Sequence, residues 1–171
     1  MSHWLILHNT LLFFIAGLGS LAVGALVLNN PPLYARPGLW RRLWAYLTQN
    51  TAETRRNHPF CELELRSYPL VPAALAPRVA HAVAVLGWDV VEEDFPHTLR
   101  AVAQTPFLRF KDDVEIHLVV GDQGTELHVR ATSRVGLGDF GANTRHIIDL
   151  HEALSRQARI HLPGPWERTW A

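Results

Sequence analysis

The sequence predicts an α+β fold, in which an N-terminal transmembrane helix precedes a small antiparallel sheet with two helices packed on one face. Three observations carry this. Residues 10–28, TLLFFIAGLGSLAVGALVL, contain no charge. Residues 113–120 and 125–133 alternate apolar and polar side chains on either side of Gly121-Asp122-Gln123-Gly124, the period of paired, half-buried strands. The remaining apolar periods come as strands and helices without the βαβ alternation of a parallel sheet.

The uncharged run of 19 residues reaches roughly 28 Å at ~1.5 Å per residue, about the hydrocarbon thickness of a bilayer. It is apolar on every face and ends in Asn29-Asn30-Pro31-Pro32, which marks a span rather than a core helix. The residues before it hold no Lys or Arg, unlike a cleaved secretory signal. Trp4 before the run, and Trp40 and Trp44 after it, stand where rings anchor at the two headgroup levels. Within residues 39–47, LWRRLWAYL, a stripe of Trp40, Leu43, Trp44 and Leu47 lies beside one of Arg41 and Arg42, suiting a short helix flat on the membrane. Packing of that helix on the chain's own domain is the competing reading.

No Lys or Arg precedes the span, whereas Arg36, Arg41 and Arg42 follow it closely. The positive-inside rule therefore places the C-terminal domain in the cytoplasm and makes the chain a single-pass protein of the cell (inner) membrane. Ala16, Ser20 and Gly24 recur every four residues with Gly17 beside them, a face that a second helix can approach closely.

Beyond the anchor of residues 1–30, residues 31–59 read as the interfacial helix and a polar linker, residues 60–160 as the domain, and residues 161–171 as a tail carrying Trp166 and Trp170. Cys61, Leu63 and Leu65 alternate with Glu62, Glu64 and Arg66 as in a strand, with Cys61 on its apolar face. Leu75, Val79, Val83 and Leu86 share a helical face that Gly87 closes. Residues 88–92 and 99–105 read as strands around Pro96-His97. In the long hairpin, a loop at 121–124 sets Glu115 opposite Arg130 and His117 opposite His128, with Val114, Ile116, Leu118, Val120, Leu127 and Val129 on the core face. A final helix over residues 143–158 buries Ile147, Leu150 and Leu154 and spaces Glu152 and Arg156 for a surface pair.

Sixteen basic against sixteen acidic residues argue against nucleic acid as a partner. One cysteine excludes an internal disulfide and a multi-cysteine metal site. Gly136-Leu137-Gly138-Asp139-Phe140-Gly141 matches G-x-G-x-x-G between a strand and a helix, but the parallel strand ending in an acidic residue that dinucleotide binding requires does not follow. The loop reads instead as a sharp turn into the helix, capped by Asp139 or Asn143. Arg130, Arg134, Arg145 and His146 flank it as a candidate seat for a phosphate or carboxylate, opposed by Asp139 and by pairing of the arginines with Asp112, Asp113 and Glu115. Glu115, His117 and His128 share a face, but no H-x-x-x-H or cysteine ligand supports zinc there. Ser133 has no nucleophile-elbow motif. The residues point to no catalytic group, metal or cofactor.

Several motifs in order also carry a resemblance: Phe110-x-Asp112-Asp113-Val114-Glu115, then Arg130-x-x-Ser133-Arg134-Val135-Gly136, then Asp139-Phe140-Gly141-x-Asn143, ending at Ile147. Residues 110–147 thereby resemble the family called domain of unknown function fourteen ninety-nine, with a fainter likeness at Leu86-Gly87-Trp88. The family pattern has Ser where Ala131 stands and Arg where His146 stands, so a family anion site would be weakened here. The resemblance implies a small domain, often membrane- or lipid-anchored, with no established activity or cofactor. The leading expectation is a non-catalytic accessory or assembly subunit, its partners being other integral membrane subunits and the lipid bilayer. The alternative is an anion or small-ligand module built on Arg130, Arg134 and the 136–141 loop.

Overall fold

The structure, a computed structural model, describes residues 2–94, 96–106 and 108–160, so the tryptophan-bearing tail lies outside the described residues. Helix α1 (Ser2–Asn29) is the one described helix long and apolar enough to cross a membrane, and almost none of its apolar stretch is buried by the rest of the chain. Helix α2 (Leu39–Thr48) follows, then strand β1 (Thr51–Glu53), a 3-10 turn at Cys61–Leu63, strand β2 (Arg66–Tyr68) and helix α3 (Pro72–Val85). Strands β3 (Asp89–Asp94), β4 (Thr98–Gln104), β5 (Lys111–Gly121) and β6 (Gly124–Ser133) form a meander, and helix α4 (Ala142–Ile160) closes the domain.

The sheet is antiparallel throughout, in the order β1-β6-β5-β4-β3, and β2 pairs with β6 further along the edge that β1 occupies. The long hairpin has the register its turn dictates, Gly121 facing Gly124, Glu115 facing Arg130 and His117 facing His128. Its inward set of Val114, Ile116, Leu118, Leu127, Val129 and Ala131 is buried against Val79 and Val83 of α3 and Ile147, Leu150 and Leu154 of α4, whereas Val120, expected on that face, is exposed beside the turn. Pro72 starts α3, where a fixed φ helps and the missing N–H costs nothing, and Gly87 ends it at φ +68°.

The other face of the sheet is solvated and ordered by charge. Register places Glu53, Arg130, Glu115, Arg100 and Glu92 side by side across β1, β6, β5, β4 and β3, an alternating row. Arg100 bridges its neighbours at 3.1 Å to Glu92 and 3.5 Å to Glu115. The row ends on edge strand β3, every residue of which is exposed and which is bulged between Val90 and Glu92.

Two segments differ from the sequence expectation. The polar stretch 48–59 is not simply a linker, because β1 within it pairs with β6 and buries Ala52 beside Ala131. Residues 61–65 are not a strand, since Glu62 and Leu63 are neighbours in sequence and both buried, which the alternation of a strand forbids and a 3-10 turn permits. Cys61 is exposed rather than set on an apolar face.

Arg42 corrects the picture of the interfacial helix. Trp40 and Trp44 are 81 % and 71 % exposed and Arg41 is exposed, but Arg42 has no exposed surface. Its guanidinium donates to both carboxylate oxygens of Glu62 at 2.5 and 2.9 Å, to the Tyr46 hydroxyl at 2.9 Å, and to the carbonyls of Ala35 at 3.0 Å and Arg36 at 2.5 Å. It also lies 4.4 Å from the Phe60 ring centre. Helix α2 therefore packs on the domain with one face and shows its tryptophans with the other. Burial alone would raise the Glu62 carboxyl, but the Arg42 hydrogen bonds and charge hold it below the ordinary range.

Arg42→Met should leave Glu62 buried without its cation and cost about 3–5 kcal/mol in denaturant unfolding of the detergent-solubilised chain, while adding Glu62→Leu should recover most of that loss. A single variant as stable as the wild type would show that the pair contributes nothing.

Candidate functional site

The motif residues that lie apart in the sequence meet beneath the 136–141 loop. Asp112 at the start of β5 and His146 on α4 are both buried and joined by a 2.9 Å hydrogen bond, with the His146 ring edge-on to Trp88 at 5.7 Å between centres. Asn143, fully buried on the first turn of α4, donates to the carbonyl of Asn50 at 2.8 Å and to Ser133 Oγ at 3.0 Å. Asp139 turns its carboxylate onto the start of the same helix. Oδ1 accepts from the Gly141 N–H at 2.8 Å, and Oδ2 accepts from the Asn143 N–H at 3.1 Å.

The backbone of this loop grips the end of α1. Asn29, the last residue of α1, donates to the carbonyls of Asp139 at 3.4 Å and Phe140 at 3.1 Å. The Asp139 N–H donates to Gln49 at 3.1 Å and the Phe140 N–H to Tyr46 at 2.9 Å, which fastens the end of α2. Two glycines permit the approach. A Cβ on Gly138 would collide with the Leu47 carbonyl, and one on Gly141 with the Pro31 ring. The G-x-G-x-x-G pattern is thus explained by packing between the loop, α2 and the end of α1.

The four residues expected to hold an anion do not converge. Arg134 is occupied by Asp113, with contacts of 2.9 and 2.5 Å. Arg145 pairs with Asp149 at 2.5 Å and approaches Glu152 at 3.6 Å. His146 faces inward to Asp112, and Arg130 stands on the outer face of the sheet between Glu53 and Glu115. The α4 N-terminus that was to receive a phosphate already holds the Asp139 carboxylate. Glu115, His117 and His128 do share the outer face, where Glu115 meets Arg100, His117 meets Thr98 at 3.2 Å and His128 meets Glu126 at 3.3 Å.

Three cavities surround the junction. One of about 700 Å³ lies between α2 and β1 and is lined by Arg41, Arg55 and Arg130 together with Glu53. A second, of about 690 Å³, is an apolar groove along α1, and Gly17, Ser20 and Gly24 of the small-residue stripe line it opposite Leu108, Phe110 and Phe140. Within the same stripe the carbonyl of Ala16 accepts the Ser20 hydroxyl at 2.9 Å. A third, of about 630 Å³, is polar and includes Trp88, Asp89, Arg109, Arg145 and His146. Trp4 is 81 % exposed on α1. Sequence reasoning missed Asn29, Glu62 and Arg109, because the first reads as a helix terminator, the second as the polar side of a strand and the third as an ordinary loop cation.

A family model described as "Protein of unknown function (DUF1499)" matches residues 48–154, which takes in the domain from the end of α2 to the middle of α4. The chain belongs to that family. No curated protein matches it.

Burial pushes Asp139 up to about 6 against the pull of its two backbone donors, while burial drives His151 down to about 3. Asp139 therefore contributes a stability that is complete below the ordinary Asp value of 3.8 and is lost as pH rises through about 6. His151 acts oppositely, because stability declines as pH falls below its ordinary 6.5. With Asp139→Asn only the second effect should remain, so thermal unfolding of wild type and variant should diverge in favour of wild type as pH drops from about 6 towards 4. Parallel pH curves would show that Asp139 is ionised throughout.

Proposed function

We propose that this DUF1499 member is a non-catalytic, membrane-anchored accessory or assembly subunit of a larger membrane complex, with α1 as a single span and the domain on the cytoplasmic side of the cell (inner) membrane. The observation that carries this is the junction. Asn29 and Pro31 are locked into the 136–141 loop and α2 into the Arg42–Glu62 pair, so the domain meets its anchor through hydrogen bonds and packed backbone. A soluble enzyme on a tether has no need of a fixed attitude to the bilayer. A subunit that offers one surface to a neighbour does.

Two further features support the reading. The buried polar side chains of the family motif, Asp112, Ser133, Asp139 and Asn143, are engaged with neighbouring side chains and with backbone, as in a structural network. Around the foot of α1, Trp40, Trp44 and Leu137 expose apolar surface, the last 87 % exposed, where a headgroup layer or a membrane partner would cover it. Arg36 and Arg41 follow the span and supply the positive side of the orientation rule without help from the buried Arg42.

Solubilised gently from native membranes, the chain should migrate with other integral membrane proteins, and a reporter fused after Ala171 should be active in the cytoplasm. A clean monomer in mild detergent would remove the assembly role, and reporter activity on the far side would reverse the orientation.

A second reading, an anion-binding module, is favoured by one observation: Arg41, Arg55 and Arg130 line the same cavity and none of them makes an ion pair among the described residues. It keeps Arg130 of the sequence expectation and exchanges its companions. Inorganic phosphate should then raise the unfolding temperature of wild type and not of Arg130→Gln, and no shift in either would end this reading.

A further inference from the structure

We infer that the chain holds one phospholipid with an ethanolamine-type head, its acyl chain in the groove along α1 and its headgroup in the polar cavity beside Trp88. The inference rests on reading α1 as a membrane span.

The two cavities adjoin. Both are lined by Leu28 and Asn29, the point where the uncharged run of α1 gives way to polar residues. Helix α1 is therefore a depth gauge: the groove lies on its hydrocarbon side and the polar cavity opens at the boundary. From Phe13 to Leu28 the groove follows about 22 Å of helix, more than the ~15 Å depth of one leaflet. Its floor is bare at Gly17 and Gly24, where an added Cβ would meet nothing within 4 Å. Leu108, Phe110 and Phe140 supply the opposite wall, and the first two expose about half their surface. An acyl chain suits that half of the site.

The polar half selects the head. Arg145 is neutralised by Asp149, and His146 is turned to Asp112. Arg109 instead makes a single side-chain hydrogen bond, 3.0 Å to Gln104 Oε1, and no ion pair among the described residues. Asp89, in the same cavity, has neither a side-chain hydrogen bond nor an ion pair among the described residues. Among the described residues the cavity thus presents one cation and one anion that no ion pair neutralises, Arg109 and Asp89. A phosphodiester matches Arg109 and a primary ammonium matches Asp89. A glycerol head would bring the phosphate without the ammonium and leave Asp89 facing an anion. A choline head has no N–H to donate. A partner helix in the groove would account for its apolar half and leave Arg109 and Asp89 without a partner charge.

The test uses the full chain in a mild uncharged detergent, titrated separately with phosphatidylethanolamine, phosphatidylglycerol and phosphatidylcholine, and read by thermal unfolding and by native mass spectrometry of retained lipid. Phosphatidylethanolamine should be retained and should raise the unfolding temperature. Arg109→Gln should abolish both effects, and Asp89→Asn should remove the preference over phosphatidylcholine. Both positions are exposed, so folding is not at issue, and Gly17→Phe with Gly24→Phe should block retention by filling the groove. Equal shifts from all three lipids in wild type and Arg109→Gln, or a co-purifying protein chain in place of lipid, would overturn the proposal. Carbonate extraction separates the two readings: a chain that stays in the membrane but shows no lipid preference sinks only this one, and a chain released from it sinks the anchor as well.

Discussion

A guanidinium with no exposed surface sits where α2, the connector after α1 and the turn before β2 come together, and the placing of all three depends on it. Removing an ion pair from water costs several kcal/mol per charge, which is offset only by near-complete hydrogen bonding. Arg42 has that, with a forked contact to Glu62, the Tyr46 hydroxyl and two connector carbonyls. Apolar residues of the same volume could hold the layers together as tightly, but they would slide. The fork fixes one position, and from that position α2 meets Gly138 and Pro31 meets Gly141. The attitude of α1 to the domain follows from those contacts.

The parts of the fold legible in the sequence are those set by local period and turn chemistry. The hairpin register follows from Gly121-Asp122-Gln123-Gly124 and the alternation around it, and α3 ends where Gly87 permits a left-handed residue. Arg42 was not legible, because a Trp/Arg stripe looks the same whether its basic side faces headgroups or a buried glutamate. Glu62 was hidden for the complementary reason, since an alternating run of five residues fits a strand until a distant cation pulls one of its polar members inward. In the candidate site, sequence proximity misled. Arg130 and His146 flank one loop, yet Arg130 belongs to the face of β6 opposite Val129 and His146 sits beside Ile147 on the buried side of α4. The alternations that placed Val129 and Ile147 in the core already contained this separation.

Mapping the family motifs onto the structure changes what they mean. Ser133, Asp139 and Asn143 join in one buried network beneath the loop that holds the end of α1, and Asp112, from the remaining motif segment, lies opposite Ser133 in the sheet and bonds His146. The departure at 146 is intelligible there. An arginine would offer Asp112 a two-pronged contact, whereas His146 reaches Oδ2 alone and leaves Oδ1 without a partner among the described residues. Ala131 lies in the core beside Ala52, where a hydroxyl would need an acceptor of its own. Both differences adjust the interior and leave the outer surface as it was.

On the membrane-anchored reading proposed above, the bulged, acidic edge at β3 acquires a particular meaning. Glu92, Glu93 and Asp94 line an open edge whose backbone groups would otherwise template pairing with another chain. In three dimensions copies of such a domain meet seldom and in every attitude. Held at one height and one tilt, they meet in a plane, at a far higher effective concentration and with their edges already level. Like charges and a kinked strand would then act as a lateral spacer against neighbours zipping together into a continuous sheet.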